Sequence, residues 1–342
     1  MQLRNTANNA HVNLFTLAGG PAFAADGTIN GVNVGKGANS VAGNTVLGED
    51  ALDAAVTGGS NTAIGLRALT ANTSGSSNTA IGKDSLKANT TANQNTAVGA
   101  FALSKCDTAS NNTAVGCNAL EENTAGGENV AVGRDALEAN TNGSSNTAVG
   151  FQALTANLTA SNNTGIGKSA LAANETGAGN VALGYQSLKD NTTGEKNTAL
   201  GTNAMIDNSS GTGNVAIGEN CLADNTTADN NVAIGMDAMR LNTTGTANNA
   251  VGESALTSNV SGAGNNAFGR DALHNCTGTT NSAFGHDAGR EISSGVNNIC
   301  IGQDAGRTSS PSGQITSASN KICLGDNNIT DLFCKVSLIQ TS

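Results

Sequence analysis

An all-β or β-rich repeat fold, a parallel β-solenoid of 17-residue coils, is what the sequence predicts, and three observations carry it. In a periodic set of sixteen, asparagine is followed four residues later by glycine, and those glycines recur every 17 residues from Gly48 to Gly269, then at Gly285, one residue early, and at Gly302. Fixed-period self-similarity marks an array in which each repeat is one coil stacked on the last. The residue before each of these glycines is apolar throughout, from Leu47 to Ile301. Finally, aromatics make up 2% and charged residues 12%, with 44 Gly, one Tyr and no Trp. An interior built from such a chain is thin, regular and filled by Ala, Val, Ile and Leu. Disorder is the competing reading of that composition, but a disordered linker has no reason to hold hydrophobes at fixed offsets.

The chain divides into residues 1–43, a repeat shaft of about sixteen coils over 44–308, and residues 309–342. The first part keeps the Gly and Asn flavour without the period. Its apolar Leu14, Phe15, Leu17 and Phe23 mark a separate attachment element. Counted from the asparagine, one coil of the shaft reads N-T-A-(V/I/L)-G-x-x-A-L-x-x-N-T-(T/S)-G-x-x, as in the segment from Asn78. The first five positions are a short strand: β-branched residues suit it, and stacking sets like residues into files. The asparagine file runs through Asn78, Asn95, Asn112, Asn129 and Asn146, and the glycine file through Gly82, Gly99, Gly116, Gly133 and Gly150. Glycine there permits a sharp bend or close approach to a neighbouring backbone. The stretch x-x-A-L-x-x-N is rich in helix formers and reads either as a single helical turn or as a second short strand. Its ninth-position Leu or Met, including Leu86, Leu103, Leu120, Leu137 and Leu154, faces a core in either case. The closing N-T-T-G is turn chemistry.

Both asparagine files are expected to stack on their equivalents, bonding along the axis and satisfying turn backbone. The many N-x-T/S matches are a by-product of the repeat. A 17-residue coil is narrow, too thin to bury its apolar positions and its Ala-rich flank alone, so several chains are expected to pack together. From Gly285 the pattern decays, with Gly289 and Gly306 in place of the leucine. A breaker segment over 309–320 then leads into an alternating apolar ending, a strand-rich tip.

Charge and motifs exclude several functions. A net charge of −10, with no cluster of Lys or Arg, disfavours nucleic acid and anionic membranes as partners. No apolar run is long enough to cross a bilayer. The small-residue segment from Leu17 to Gly27 lacks the apolar stretch of a secretory signal ahead of it. The seven cysteines occupy different repeat positions without close pairs, which reads as reduced, buried substitutes for small residues. The three histidines, His11, His274 and His286, are isolated, so no catalytic or metal constellation follows by spacing, and neither enzyme activity nor a cofactor is expected. Seventh-position aspartates such as Asp84, Asp135, Asp237 and Asp271 read as variable exposed residues, and the calcium-binding nonapeptide is missing.

The segments SSNTAVGFQALTAN, from Ser144, and TGEKNTALGTNAM, from Thr193, resemble the shaft repeats of bacteriophage tail fibres and related virion fibres. The ending ICLGDNNITDLFCKVSLIQTS resembles the segment that leads, in such fibres, into an endosialidase-type intramolecular chaperone domain. The resemblance implies a homotrimer whose N-terminal region binds a phage tail, baseplate or capsid protein and whose C-terminal tip meets a host cell-surface receptor. It places the protein in the virion, assembled in the host cytoplasm. It also implies self-cleavage after a serine, the place that Ser342 matches, with a chaperone domain encoded beyond it. The coils are similar too to the heads of trimeric autotransporter adhesins, whose repeats are shorter. A polysaccharide-depolymerising tailspike is the third alternative.

Overall fold

The computed structural model describes residues 2–4, 11–13, 27–29, 32–308, 310, 313–326 and 328–329. Gln2–Arg4 (β1) and His11–Asn13 (β2) pair antiparallel as a sheet of their own. The remaining strands form one continuous ladder. It starts at Gly27–Ile29 (β3) and Val32–Gly35 (β4), which are antiparallel, and β4 runs antiparallel to Thr45–Gly48 (β5). The sheet thus begins ahead of the first asparagine of the repeat. From β5 onward every neighbour is parallel, one short strand per coil as far as Ile299–Ile301, and then Ile322–Leu324. The protein is an all-β parallel solenoid.

Register follows the repeat without slippage: Thr79 pairs with Thr96, Ala80 with Ala97 and Ile81 with Val98. Because successive side chains on a strand point to opposite faces, the third-position alanine turns inward and the second and fourth positions turn outward. The glycine that ends each strand is required twice over. Gly116 has φ 143°, and a Cβ built on it would stand 2.3 Å from the carbonyl oxygen of Gly133.

The segment x-x-A-L-x-x-N is neither a helical turn nor a second strand. It is a run of tight turns with left-handed backbone at positions seven and nine, as at Asp135 (φ 58°) and Leu137 (φ 51°). The reason lies in the bonds between coils. Leu137 N–H donates to Ala153 O at 3.0 Å and Ala139 N–H to Thr155 O at 3.0 Å, while Asn140 N–H turns back to Leu137 O at 3.1 Å. A helical turn would point these groups along its own axis and leave the next coil's carbonyls unpaired. A leucine in the left-handed region costs about 1–2 kcal/mol, whereas burying its side chain returns roughly 2–3 kcal/mol. Burial wins, and the leucine stays. Among the described residues the one helical piece is a short 3₁₀ turn, Ala38–Ser40.

The core closes within a single chain. Ala131, Ala136 and Leu137, at positions three, eight and nine of one coil, have no exposed surface, and the same holds in nearly every coil. The expectation that so narrow a coil needs other chains to bury these files is therefore corrected. Alanine is small enough to let opposite walls meet across the coil, so a 17-residue circuit suffices. The solenoid also continues through the region where the sequence pattern decays. Where Gly289 and Gly306 stand in place of leucine, volume is restored from other walls by Ile292, Cys300, Ile315 and Cys323, all buried. A Cβ on Gly306 would lie 2.9 Å from Cys300 Sγ, which shows how closely the sulfur occupies the vacated space.

Candidate interaction surface

The predicted asparagine and leucine files are placed inside the coil, Leu86, Leu103, Leu120, Leu137 and Leu154 with no exposed surface, while Gly82, Gly99, Gly116, Gly133 and Gly150 are half-buried at the strand ends. Asn78, Asn95, Asn112, Asn129 and Asn146 are fully buried, and each joins two coils. Asn112 N–H donates to Asn95 Oδ1 at 2.8 Å, while Asn95 Nδ2 donates across the interior to Ala109 O at 2.8 Å. This file therefore links side-chain oxygen to backbone N–H more than amide to amide. The twelfth-position file makes the amide ladder: Asn89 Nδ2 donates to Asn72 Oδ1 at 2.8 Å, and Asn140 Nδ2 to Asn123 Oδ1 at 2.8 Å. Cys106 and Cys276 occupy this file and break it. Asn89 Oδ1 and Asn259 Oδ1, each one coil earlier, are left buried without a hydrogen-bond partner. Both files are scaffolding that fixes the height of each coil.

What the coil leaves outside is the fourth file. Val115, Val132, Ile166, Leu200, Ile217 and Ile234 are each 36–37% exposed, and Leu183 and Ile301 reach 46%. The file is apolar at all sixteen coils, so the outer face of the sheet carries an unbroken apolar stripe along the shaft. The second file beside it is mixed, with Thr62, Thr79, Thr96 and Thr113 early in the shaft, Val181, Val215 and Val232 further on, then Asn249, Asn266 and Ser282 before Ile299. The sequence marked the fourth file as apolar but placed it in the interior. The signal that assigns it outward is its odd offset from the alanine, legible only once the alanine is known to point in.

Position six, just past the glycine, adds a cation–aromatic stack mid-shaft. The Arg134 guanidinium lies 4.5 Å from the Phe151 ring centre, and Lys168 Nζ lies 5.9 Å from Phe151 and 5.7 Å from Tyr185. The seventh-position aspartates are less exposed than their variability suggests. Asp84, Asp135 and Asp287 are buried, and each has a cationic partner: Arg67 at 2.8 Å from Asp84, Arg134 at 3.1 Å from Asp135, and Arg307 at 2.8 Å from Asp287. The left-handed turn tips this position inward, which its variability did not reveal.

Asp271, His286 and Asp287 bring three potential ligand atoms within 4.8 Å of one another. Arginines already balance them. Arg290 reaches Asp271 at 3.6 Å and Asp287 at 3.0 Å, and Arg270 Nε donates to His286 Nε2 at 2.8 Å. A cation would have to displace these groups, so the cluster acts as an ion-pair lattice tying the last coils together. His274, an isolated residue in sequence, lies beside this cluster, its Nδ1 3.2 Å from an Asp271 carboxylate oxygen.

Cys106, Cys221, Cys276, Cys300 and Cys323 are free and buried, and Cys117 is free and exposed. Burial pushes the Cys106, Cys221 and Cys300 thiols up to about 12 and Cys276 to about 11, which keeps them protonated and unreactive. Among the described residues no helix is long and apolar enough to cross a membrane. Of the alternating ending, Ile322–Leu324 is the last strand of the ladder, while residues 330–342, Ser342 included, lie outside the described residues. The chain matches no protein-family model and no curated protein sequence.

Proposed function

We propose that this chain is the shaft subunit of a homotrimeric bacteriophage virion fibre, a structural rod that joins the particle through its N-terminal region and carries a host-contacting tip at its C-terminal end. The exposed fourth file is the observation that carries self-association. At a strand spacing of ~4.8 Å the sixteen coils make a stripe roughly 75 Å long. With on the order of 60 Å² from each residue it offers about 1,000 Å² of apolar surface per chain, the size of a stable interface half. Soluble proteins rarely leave so long a contiguous apolar surface in water. Its partner must repeat at the same spacing over the same length, and another copy of this chain does so by construction. The likeness of the repeats to phage fibre shafts supports the virion setting and the number three.

Sedimentation of the purified chain tests the assembly, with a trimer expected and a monomer at micromolar concentration refuting it. Co-purification with phage particles tests the setting. A chain that fractionates with a cell envelope instead is the surface adhesin, and one that shortens a soluble polysaccharide on incubation is the tailspike.

A further inference from the structure

A long regular stripe has a difficulty of its own. From Leu47 to Val251 the fourth file contains only Leu, Ile and Val. Sliding one copy past another by one coil therefore exchanges residues that differ by a single methylene or by branching alone. The buried files add no discrimination between copies, since each closes within its own chain. Something else has to set the height at which copies meet.

Phe268 and Phe284 are the aromatic residues of this file. They occupy adjacent strands in direct register, and their rings stack with centres 5.1 Å apart and planes 2° from parallel. They are 37% and 44% exposed, so the pair presents ring surface outward. Their neighbours in the file are Val251 on one side and Ile301 on the other. Beside them Arg270 is held by its hydrogen bond to His286, which keeps that guanidinium engaged at the edge of the patch.

We infer that Phe268 and Phe284 are the register key of self-association, a conclusion that rests on the homotrimer reading above. With all copies at one height, Phe268 meets Phe268 and Phe284 meets Phe284 across the interface. A one-coil slip keeps one aromatic pairing, Phe284 with Phe268, and sets the other two rings against Val251 and Ile301. A two-coil slip loses every aromatic pairing. Closed cyclic assembly also requires equal heights, because a slip repeated around a ring leads to an open helix. The key sits near the end of the shaft; in its two strands the second file is polar, Asn266 and Ser282, and it turns apolar in the strands that follow, with Ile299 38% and Ile322 67% exposed.

The test reads height directly. In a Cys117→Ser background, chains carrying Val115→Cys and chains carrying Val132→Cys are co-expressed with different tags, and the assembled protein is oxidised with glutathione disulfide. These sites lie one coil apart on the exposed file, each 36% exposed. Each cross-link forms one S–S bond from two thiols, with two glutathione thiols as the reduced product. Same-height links are expected to dominate in the parent. In the Phe268→Leu/Phe284→Leu double variant, which keeps apolar bulk but lacks the rings, the 115–132 link should rise about tenfold relative to same-height links, equivalent to ~1.4 kcal/mol. An assembled double variant with only same-height links overturns the inference. So does loss of association with the coil fold intact, since the rings would then supply affinity and not register. A parent that sediments as a monomer sinks the homotrimer reading itself, a distinguishable result.

Discussion

At the scale of single residues, the ladders show what one substitution is worth. Asn89 Oδ1 lacks a donor because Cys106 stands one coil above it, and the Cys106 thiol bonds Ala109 O instead. Cys106→Asn should restore the amide link while keeping the bond to Ala109, and raise stability by about 1 kcal/mol, the net worth of a buried hydrogen bond with its penalty removed. Urea unfolding reads this, and a loss of stability would mean that the cavity cannot take the amide. Leu137 gives a sharper test of backbone. Leu137→Ala should cost roughly 3 kcal/mol through lost packing. Leu137→Gly should cost no more than Leu137→Ala, because glycine removes the left-handed strain that alanine keeps. At an ordinary helix or strand position glycine would be clearly the worse, and that ordering would reject the observed φ of 51°.

At the scale of the coil, like files stack like charges. Asp190, Asp207 and Asp224 share the eleventh position of successive coils. Burial first, and then the Asp224 and Asp190 carboxylates, push the Asp207 carboxyl above its usual range. A carboxyl raised in the folded state binds its proton more tightly there than in the unfolded chain. Its stabilising contribution is therefore complete below the ordinary carboxylate pKa and is lost as pH rises through the raised one. Thermal stability of the parent should fall across that acidic window, and Asp207→Asn should flatten this part of the profile and gain a few tenths of a kcal/mol near neutrality. An unchanged profile would place the repulsion elsewhere, for example at Glu138, which burial and the Asp135 carboxylate also raise. The coil was partly legible beforehand. Its period, its strand ending in glycine and its buried ninth position follow from spacing and residue type alone. The turns between Arg134 and Asn140 do not, because Ala and Leu at those offsets suit a helix, and what overrides the local preference is hydrogen bonding to a coil 17 residues away. The inward tilt of Asp84 and Asp135 was hidden for the same reason.

At the scale of the molecule, a core closed within each chain separates folding of the coil from the association proposed for its outer face. The fourth file can then be altered without unmaking the coil. Ile217→Glu/Ile234→Glu, at two sites 36% and 37% exposed, should leave β-sheet circular dichroism unchanged and abolish association, because three copies would bring like charges together in an apolar seam. Loss of the β signal together with the trimer would show that the coil depends on its partners after all. The side on which the apolar fourth file lies was the part least legible in sequence. Val132 and Ala131 are both small, apolar and adjacent, yet one is 36% exposed and the other fully buried, and only the pleat assigns them to opposite sides.

The broken rungs at Cys106 and Cys276 have a mechanical consequence. Bonds between coils run along the shaft on every wall, so axial tension loads a whole ring of them together, and a boundary yields as a unit or holds. Where a ring has lost a rung, the boundary is the weakest link of a chain in series. Under a steady pull on the two ends, extension should begin at the coils next to Cys106 and Cys276, in steps that are multiples of one unravelled 17-residue circuit, about 60 Å of extended chain. Cys106→Asn should move the first yield point away from that boundary in single-molecule stretching, while Cys276 continues to mark the other.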